Sequence, residues 1–322
     1  MTPVSSDHPR VSIIIVAYNS EKFIGDSLAA LQGIKSDYEI IVIDNSSNHE
    51  SLPVVKSFFP DSTTIPSDTN LGFAKAVNLA SRSARGDFIL LLNPDCIVNG
   101  EQIDSMLSEI EANKNIGVLA PVIEHPQGRL TVRSAGYEPT ARHMFFQLAG
   151  LSRWRATAGA CKGFNLYPAG ESSDKSTSVD WVSGACFVTP RHLWQELGGL
   201  SEKWFMYAED IEFCRRIRSL GYDVIHSNNS RAHHVVGASS EAGSGPVWTL
   251  WIENLAEYYV QEFRPNRMTW LIWRLSVWAL YWSRAQVYRV KAAIFSSRKS
   301  NWLRECEKFR AYAQAAFSST AL

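Results

Sequence analysis

The sequence predicts an α/β protein in which a mostly parallel sheet is flanked by helices and followed by a helical C-terminal extension. Short β-branched runs alternate with helical patterns over about the first two thirds of the 322 residues. This alternation is typical of strand–helix–strand units in a parallel sheet. The last part of the chain instead carries helical patterns rich in apolar and cationic residues.

The individual elements follow from the spacing of apolar residues. Each predicted strand is a short apolar run, and each predicted helix repeats its apolar positions every three or four residues. Strands are predicted at residues 11–17, 39–44, 63–66, 87–92, 181–188 and 222–226. Helices are predicted at residues 23–31, 54–59, 72–82, 190–197 and 209–220. Residues 125–178 are rich in Gly, Ser, Pro and Arg and predict long loops with one helix near residues 144–151.

Composition excludes several classes of protein. With 45% hydrophobic and 20% charged residues, the chain is too apolar to be disordered. The 32 basic residues equal the 32 acidic ones, which disfavours a nucleic-acid-binding protein. The five scattered cysteines have neither zinc-site spacing nor a disulfide pattern, and no apolar stretch precedes Val11. We therefore expect a cytoplasmic protein.

Two acids stand at predicted strand ends, where ligands of parallel sheets bind. Asp44 ends the second strand and is a candidate acceptor for a ribose hydroxyl or a base N–H. Asp95 follows the fourth strand in Asn-Pro-Asp and is a candidate ligand for a cation that bridges two phosphates. A simple turn or helix cap is the alternative at each position. Neither GxGxxG nor GxxxxGK[ST] occurs, which disfavours dinucleotide-binding folds and P-loop NTPases.

The second half of this region contributes further candidates. Glu209 and Asp210 begin a predicted helix, where acids are favoured by the helix dipole alone, but one of them is also a candidate general base. His233 and His234 follow a predicted strand and are candidate metal ligands, with ordinary surface histidines as the alternative.

The order and spacing of seven short motifs over roughly residues 11–240 carry a family resemblance. They are Val-Ala-Tyr-Asn at 16–19, Ile-Asp-Asn at 43–45, Asn-Leu-Gly-Phe-Ala at 70–74, Leu-Leu-Asn-Pro-Asp at 91–95, Val-Ser-Gly-Ala at 182–185, Phe-Met-Tyr-Ala-Glu-Asp at 205–210 and His-Val-Val-Gly-Ala-Ser at 234–239. In these motifs the chain resembles the inverting glycosyltransferases of family 2, which have the GT-A fold. It most resembles the rhamnosyltransferase branch.

The resemblance implies a role for each matching residue. It implies that Asp210 is the base that deprotonates the acceptor hydroxyl, and that Asp95 and His234 bind Mg²⁺ or Mn²⁺ on the diphosphate; His233 fits the motif less well. The residues implied to bind the nucleotide are Ala17, Tyr18, Asn19, Asp44, Asn70, Gly72 and Asn93. Those implied to bind the acceptor are Trp181, Gly184 and Glu209.

The sequence departs from the family pattern at two positions. Asn93 replaces the first acid of the usual Asp-x-Asp metal motif, as is common in the rhamnosyltransferase-like branch. Its carbonyl oxygen can coordinate a metal but brings no charge. Glu212 stands where the family often has Asp, and we expect little effect.

The sequence suggests two domains. We expect a glycosyltransferase domain at residues 1–245, with a nucleotide-sugar half at about 11–120 and an acceptor half at about 121–245, and a helical extension at 246–322. The segment from Arg264 to Arg310 carries eleven Lys or Arg residues and two acids. The region after residue 245 also holds seven of the eleven tryptophans.

The extension predicts contact with a membrane surface. Its apolar stretch at 269–283 is shorter than the roughly 20 residues that span a bilayer, while Trp, Tyr and Arg together suit the headgroup region. We therefore expect peripheral association with the inner face of the plasma membrane. A helix packed on the protein body and a homodimer contact are the alternatives.

The resemblance implies transfer of a sugar from a nucleotide-sugar donor to a lipid-linked or free glycan. The favoured hypothesis is L-rhamnose from dTDP-L-rhamnose moved to a bacterial, polyprenyl-linked acceptor in cell-surface polysaccharide synthesis. A UDP-hexose donor is the main alternative. A non-catalytic module that recruits other glycan enzymes is the alternative of a different class, and the presence of both Asp95 and Asp210 disfavours it.

Overall fold

The computed structural model describes residues 8–125, 134–153, 161–166, 176–234, 247–295 and 298–318. Residues 235–239 of the last sequence motif lie outside these ranges. The chain divides into two units, Met1–Gly136 with Pro168–Gly243 and Tyr137–Tyr167 with Ser244–Leu322.

The first unit alternates strands and helices. Its strands are β1 (Val11–Ala17), β2 (Tyr38–Asp44), β3 (Thr63–Pro66), β4 (Phe88–Leu92), β5 (Cys96–Ile97), β6 (Ile116–Glu124), β7 (Ala135–Gly136), β8 (Thr177–Ser178), β9 (Trp181–Val182), β10 (Cys186–Pro190) and β11 (Asp223–His234). Its helices are α1 (Ile24–Leu31), α2 (Ser51–Phe58), α3 (Phe73–Ser81), α4 (Gly100–Ala112), α6 (Arg191–Leu197) and α7 (Glu209–Ser219). The second unit contains α5 (Ala141–Leu148), a 3₁₀ turn (Leu151–Arg153), α8 (Val247–Phe263), α9 (Arg267–Ile294) and α10 (Lys299–Ser318).

Nine strands form one sheet in the order β3-β2-β1-β4-β10-β6-β11-β5, with β8 paired to β11. Strands β1 to β4 run parallel to one another, as do β6 and β11. Strand β10 runs antiparallel to both β4 and β6, so these two sets point the same way. The carboxyl ends of β1, β2, β4 and β11 therefore meet at one edge of the sheet, together with the amino end of β10.

The central strands are apolar because helices cover both faces of the sheet. Every residue of β4 is buried, and β1 is buried except for a partly exposed Val16. The core also includes Leu28 and Leu31 of α1 and Met106 of α4, which are fully buried. The predicted mostly parallel α/β sheet with C-terminal helices is confirmed.

Two local predictions need correction. The predicted strand at residues 181–188 is two strands, since β9 pairs with β7 in a separate two-stranded sheet and β10 joins the main sheet. Residues 183–185, between the two strands, form hydrogen bonds outside the main sheet. Ser183 N donates to Ser134 O over 2.8 Å, and Gly184 N donates to a side chain of α7. The strand predicted at 222–226 continues to His234.

The second unit packs a segment from the middle of the chain against the C-terminal helices. The indole Nε1 of Trp273, which is fully buried in α9, donates to Pro139 O over 2.6 Å. The hydroxyl of Tyr258 in α8 donates to Glu138 Oε2 over 2.8 Å. The second unit thus includes Tyr137–Tyr167, a segment that the predicted domain boundaries placed in the acceptor half at about residues 121–245.

The tryptophans of the second unit divide between two environments. Trp270 and Trp273 are buried and stack on each other at 5.2 Å. Trp278 and Trp282 are 36% and 39% exposed. Over the described ranges, no helix has the length and apolar character needed to cross a bilayer.

Candidate active site

The ends of β1 and β2 create a small polar site around Asp44. Ala17 and Asp44 are neighbours in the parallel ladder, and Asn45 N donates to Ala17 O over 2.8 Å. The fully buried Asp44 carboxylate accepts from the backbone N and the hydroxyl of Ser46 through Oδ1. Its Oδ2 is buried and has no partner among the described residues. A buried acceptor without a donor is costly, so this oxygen suits a ligand N–H.

The turn after β1 lies at the same edge. Tyr18 and Asn19 are partly exposed, and Asn19 has a left-handed backbone with φ +49°. The Ser20 hydroxyl accepts from Tyr18 N over 3.0 Å and fixes this turn. The predicted base-binding residues thus occupy adjoining strand ends.

Gly72 lies where two loops approach too closely for a side chain. Its N donates to Asn70 Oδ1 over 2.9 Å and its O accepts from Asn45 Nδ2 over 3.1 Å. Its φ is +79°, and a Cβ there would lie 2.3 Å from Phe205 O. The next residue, Phe73, donates its N to the same oxygen over 2.9 Å. Only glycine fits this backbone conformation and this contact. Asn70 itself is exposed.

Asp95 and His234 meet at the candidate metal site. His234 Nε2 and Asp95 Oδ1 are 2.9 Å apart, and the Asp95 side chain is almost fully buried. Strand β5 brings them together because Cys96 pairs with His234 in the ladder. His233 is exposed, since successive side chains of a strand point to opposite faces. The structure therefore favours His234 over His233.

This pair fits a divalent cation. A carboxylate oxygen and an imidazole nitrogen are both ligand types that such ions use, and here the two groups are within hydrogen-bonding distance of each other. Over the part of the chain that the structure describes, Asp95 and His234 belong to no cluster of three or more metal-ligating His, Cys, Asp or Glu residues. Further ligands would have to come from other groups, such as diphosphate oxygens and water.

Asn93 links the metal side of the site to β10. Its N donates to Ala185 O over 2.9 Å and its O accepts from Cys96 N over 3.0 Å. The side chain is partly exposed. The hydrogen bond to Ala185 holds the Asn-Pro-Asp turn against the residue that follows Gly184.

Asp210 is held by the backbone of the same segment. Its Oδ2 accepts from Gly184 N over 3.0 Å and its Oδ1 from Ile211 N over 2.9 Å. Loss of contact with water raises the pKa of Asp210, and the Gly184 N–H partly opposes this rise. Some of the Asp210 side chain remains accessible. A carboxylate with a raised pKa and an open side is suited to accept a proton.

Glu209, next to Asp210, has a different environment. It is buried, and its Oε2 has no partner among the described residues. Burial and the neighbouring Asp210 charge raise the pKa of Glu209 to about 8. At neutral pH Glu209 is therefore mostly protonated and adds little negative charge beside Asp210.

The backbone before this pair is strained. Tyr207 and Ala208 have φ values of +69° and +74°, and Ala208 is the residue that caps α7. Left-handed conformations of residues other than glycine cost of order 1–3 kcal/mol each and cluster at functional sites. Here they turn the chain so that the helix begins directly with Glu209 and Asp210.

Arg216 and Asn78 hold the backbone of residues 197–200 in place, a function that the sequence motifs did not reveal. Arg216 pairs with Glu212 over 2.8 Å and donates to Leu197 O and Gly199 O over 2.7 and 2.8 Å. The Asn78 amide both donates to and accepts from the Leu200 backbone, over 2.8 and 2.9 Å. Glu212, the second departure from the family pattern, thus anchors the arginine.

Trp181 and Gly184, the remaining predicted acceptor residues, differ in position. Trp181 is buried in β9, in the two-stranded sheet. Gly184 is a direct neighbour of the Asp210 carboxylate, and a Cβ on it would lie 3.2 Å from the ring of Phe73. Phe73 and Asn45, which received no predicted role, thus connect the Gly72 loop to both ends of the site.

A cavity of about 500 Å³ in the same unit lies elsewhere. Its lining includes Phe88, Ile116 and Pro190, where β4 and β6 begin and β10 ends. It therefore opens at the edge of the sheet opposite to Asp44, Asp95 and Asp210.

Comparison with known proteins gives the class. Residues 12–169 match the model of glycosyl transferase family 2. Over this range, just under half of its length, the chain is therefore similar to glycosyltransferase family 2, as its motifs predicted. The matched range includes Asp44 and Asp95 but ends before Asp210 and His234.

Two curated relatives and one solved structure are similar to the chain. A low-salt glycan biosynthesis hexosyltransferase of Haloferax volcanii is 31% identical over 65% of this chain and 61% of its own length. The N-acetylglucosaminyl-diphospho-decaprenol L-rhamnosyltransferase of Mycobacterium tuberculosis is 23% identical over 69% of this chain and 75% of its own. A mannosyltransferase of Pyrobaculum calidifontis, in complex with GDP-Man and Mn²⁺, has a TM-score of 0.60 at 16% identity, over 98% of this chain and 89% of its own. The similarity to the Pyrobaculum mannosyltransferase shows that the two proteins share a fold.

The close approach at Gly72 predicts a stability difference between two glycines. Gly198 has a similar φ of +72°, but among the described residues only its chain neighbours would lie within 4 Å of a methyl group added there. Gly198→Ala should therefore lower the free energy of unfolding by about 1–2 kcal/mol, whereas Gly72→Ala, which also meets a backbone carbonyl, should lower it by at least about 3 kcal/mol. Urea denaturation measures both, and equal losses would contradict the contact with Phe205.

The buried Glu209 predicts a pH-dependent stability. Because its folded pKa of about 8 lies above its ordinary 4.5, the proton stabilises the folded state at low pH, and this contribution is lost as pH rises from about 4.5 to about 8. Glu209→Gln cannot ionise and should avoid the loss. The Tm of the variant minus that of the wild type should rise between pH 5 and pH 8 and level off above. A difference that does not change with pH would show that Glu209 ionises normally.

Proposed function

We propose that the protein transfers a sugar from a nucleotide-sugar donor to a hydroxyl of a glycan acceptor, with inversion at the anomeric carbon. The observation that carries this proposal is the continuous set of contacts at one sheet edge. Asn45 bonds Gly72, Phe73 packs beside Gly184, Gly184 bonds Asp210, and Ala185 bonds Asn93. The proposed hydrogen-bond acceptor for the nucleotide (Asp44), the proposed cation-binding pair (Asp95 and His234) and the proposed general base (Asp210) thus lie along one path.

Asp210 is the proposed base. The acceptor oxygen attacks the anomeric carbon from the face opposite the diphosphate, and the bond to the diphosphate oxygen breaks as the new bond forms. The Asp210 carboxylate takes the hydroxyl proton. The raised pKa of Asp210 makes its carboxylate a stronger base than an ordinary aspartate. Protonated Glu209 is neutral and adds no second negative charge beside Asp210; its role in binding the acceptor stays a prediction.

Asp95 and His234 are the proposed ligands of Mg²⁺ or Mn²⁺, with Asn93 beside them. When bound, such an ion neutralises the charge that develops on the leaving diphosphate. The proximity of these two ligand-type side chains, which lie within hydrogen-bonding distance of each other, supports this assignment. The Mn²⁺ in the complex of the Pyrobaculum mannosyltransferase, which shares the fold, is consistent with it.

The proposed donor is dTDP-L-rhamnose. The free Oδ2 of Asp44 suits the N3–H of thymine and equally that of uracil. The rhamnosyltransferase-like motifs and the mycobacterial relative favour rhamnose, whereas the Haloferax hexosyltransferase favours the alternative, a UDP-hexose. The intact set of Asp44, Asp95 and Asp210 disfavours a non-catalytic module.

The proposed acceptor is a polyprenyl-linked glycan of cell-surface polysaccharide synthesis. The support is the name of the mycobacterial relative, whose acceptor carries a diphospho-decaprenol. Such an acceptor places the reaction at a membrane. We therefore propose a cytoplasmic protein that associates peripherally with the inner face of the plasma membrane through its second unit.

A panel of nucleotide sugars tests the donor and the metal together. With Mn²⁺ present, dTDP-L-rhamnose should raise the Tm of the wild type more than UDP-glucose, UDP-N-acetylglucosamine or GDP-mannose does. Asp95→Ala should lose most of this Mn²⁺-dependent shift and keep the smaller shift seen without metal, and His234→Ala should behave alike but more mildly. His233→Ala is the matched control and should resemble the wild type. Equal loss with and without metal would exclude the metal role of Asp95.

Asp210→Asn tests the base. The substitution keeps the size of the side chain and its ability to accept from Gly184 N, but it removes the proton acceptor. Turnover should fall by about 10²-fold or more, while the Kd of the nucleotide sugar stays close to that of the wild type. Turnover is measured as release of the nucleoside diphosphate in the presence of acceptor. Wild-type turnover in this variant would mean that another group, with Glu209 the first candidate, is the base.

A further inference from the structure

One side of α9 exposes a long apolar surface, called here the α9 apolar face. It consists of nine large apolar side chains that are 36–66% exposed: Met268, Leu271, Ile272, Leu275, Trp278, Trp282, Val287, Val290 and Ile294. Helical spacing places them on one side of the helix. From first to last they extend over about 39 Å. An exposed apolar surface of this length on one helix marks an interaction site.

The opposite side of α9 is already used for packing. Trp273, Val277 and Ala285 are fully buried, and Tyr281 stacks on Phe309 of α10 with ring centroids 6.0 Å apart. Arg274 donates to Ala316 O and Phe317 O near the end of α10, over 3.0 and 2.6 Å. The helix is therefore fixed in rotation, and it cannot bury its apolar face by turning towards its own unit.

The charges of α9 and of the residues that flank it in sequence are all of one sign. From Phe263 to Arg304 the sequence has nine Lys or Arg residues and no Asp or Glu. Of these, the exposed ones are Arg264, Arg267, Arg289, Arg298, Lys299 and Arg304. An anionic lipid surface complements this charge, with each cation near the surface adding to the attraction. A second copy of the same face would instead bring like charges together.

The aromatic residues of the face support a lipid partner. Trp278 and Trp282 are one helical turn apart, and their rings stack at 5.7 Å with planes 12° apart. Exposed tryptophans of this kind favour the boundary between headgroups and acyl chains. The helix does not have the apolar character of a membrane span, so this geometry suits a helix that lies in the plane of the surface.

We infer that the α9 apolar face is the surface that inserts into an anionic lipid bilayer, with α9 parallel to the membrane plane. The inference rests on the membrane partner proposed above and assigns it to specific side chains. It assigns binding to the membrane to the apolar residues of this face, and not to the cations alone. It also separates the exposed pair Trp278 and Trp282 from the buried Trp270 and Trp273, which serve the packing of the second unit.

Vesicle flotation with the full-length protein tests this inference without any sugar transfer. The vesicles contain phosphatidylcholine alone or with one third phosphatidylglycerol. Leu271→Gln/Leu275→Gln, at positions 45% and 46% exposed, should lower partitioning onto the anionic vesicles by about tenfold or more. The matched control, Leu151→Gln/Leu220→Gln, changes leucines that are 36% and 41% exposed elsewhere and should remain within about twofold of the wild type.

A second pair of variants separates charge from apolar insertion. Arg267→Gln/Arg289→Gln should weaken binding at low salt and differ little from the wild type at 0.5 M NaCl, because salt screens the charge contribution. The leucine variant should stay defective at both salt concentrations. Circular dichroism and the Tm of each variant show whether the fold is retained.

The outcomes distinguish the inference from the proposed function. A wild type that fails to float with anionic vesicles at low salt overturns the membrane partner itself. If the wild type floats and the folded leucine variant floats equally well, only the assignment to α9 is overturned. If sedimentation shows a wild-type dimer that the leucine variant converts to a monomer, without vesicle binding by either, the occupant of the face is a second copy of the chain.

Discussion

A single antiparallel strand, β10, lies between two sets of parallel strands and brings the parts of the site together. Because it runs against β4 and β6, its amino end lies at the edge where their carboxyl ends meet. Gly184 and Ala185, just before it, then bond Asp210 on one side and Asn93 on the other. A parallel strand in this position would have placed these backbone groups at the far edge of the sheet.

Strands β1, β2 and β4 could be predicted because they are buried on both faces and therefore read as uninterrupted apolar runs. The direction of β10 could not, since the pattern of a buried strand is the same in both directions. The split of residues 181–188 was hidden for a related reason: Ser183 and Gly184 interrupt the run without a charge or a proline. The pairing of residues 137–148 with α9 depends on contacts such as Trp273 to Pro139, which join positions far apart in sequence.

The candidate site also has residues that could be predicted from the sequence and features that could not. Asp44, Asp95 and Asp210 could be selected because acids at strand ends and helix starts are local patterns, and in the structure Asp95 lies within hydrogen-bonding distance of His234. The free oxygen of Asp44, the raised pKa of Glu209 and the anchoring by Arg216 could not be read from the sequence. Each depends on burial or on partners that only the folded chain assembles, such as the Leu197 and Gly199 carbonyls.

The backbone contact at Gly72 joins the loop before α3 to the loop before α7. Phe205 O bonds Phe73 N and leaves no room for a side chain on Gly72, so the loop before α7 cannot shift without moving the loop before α3. A ligand that displaced one loop would displace the other, and where the second loop also bound a ligand in only one of its positions, linkage would make the effect on the two affinities equal in both directions. Two ligands that each displaced one of these loops would therefore be coupled through a contact that involves no functional side chain.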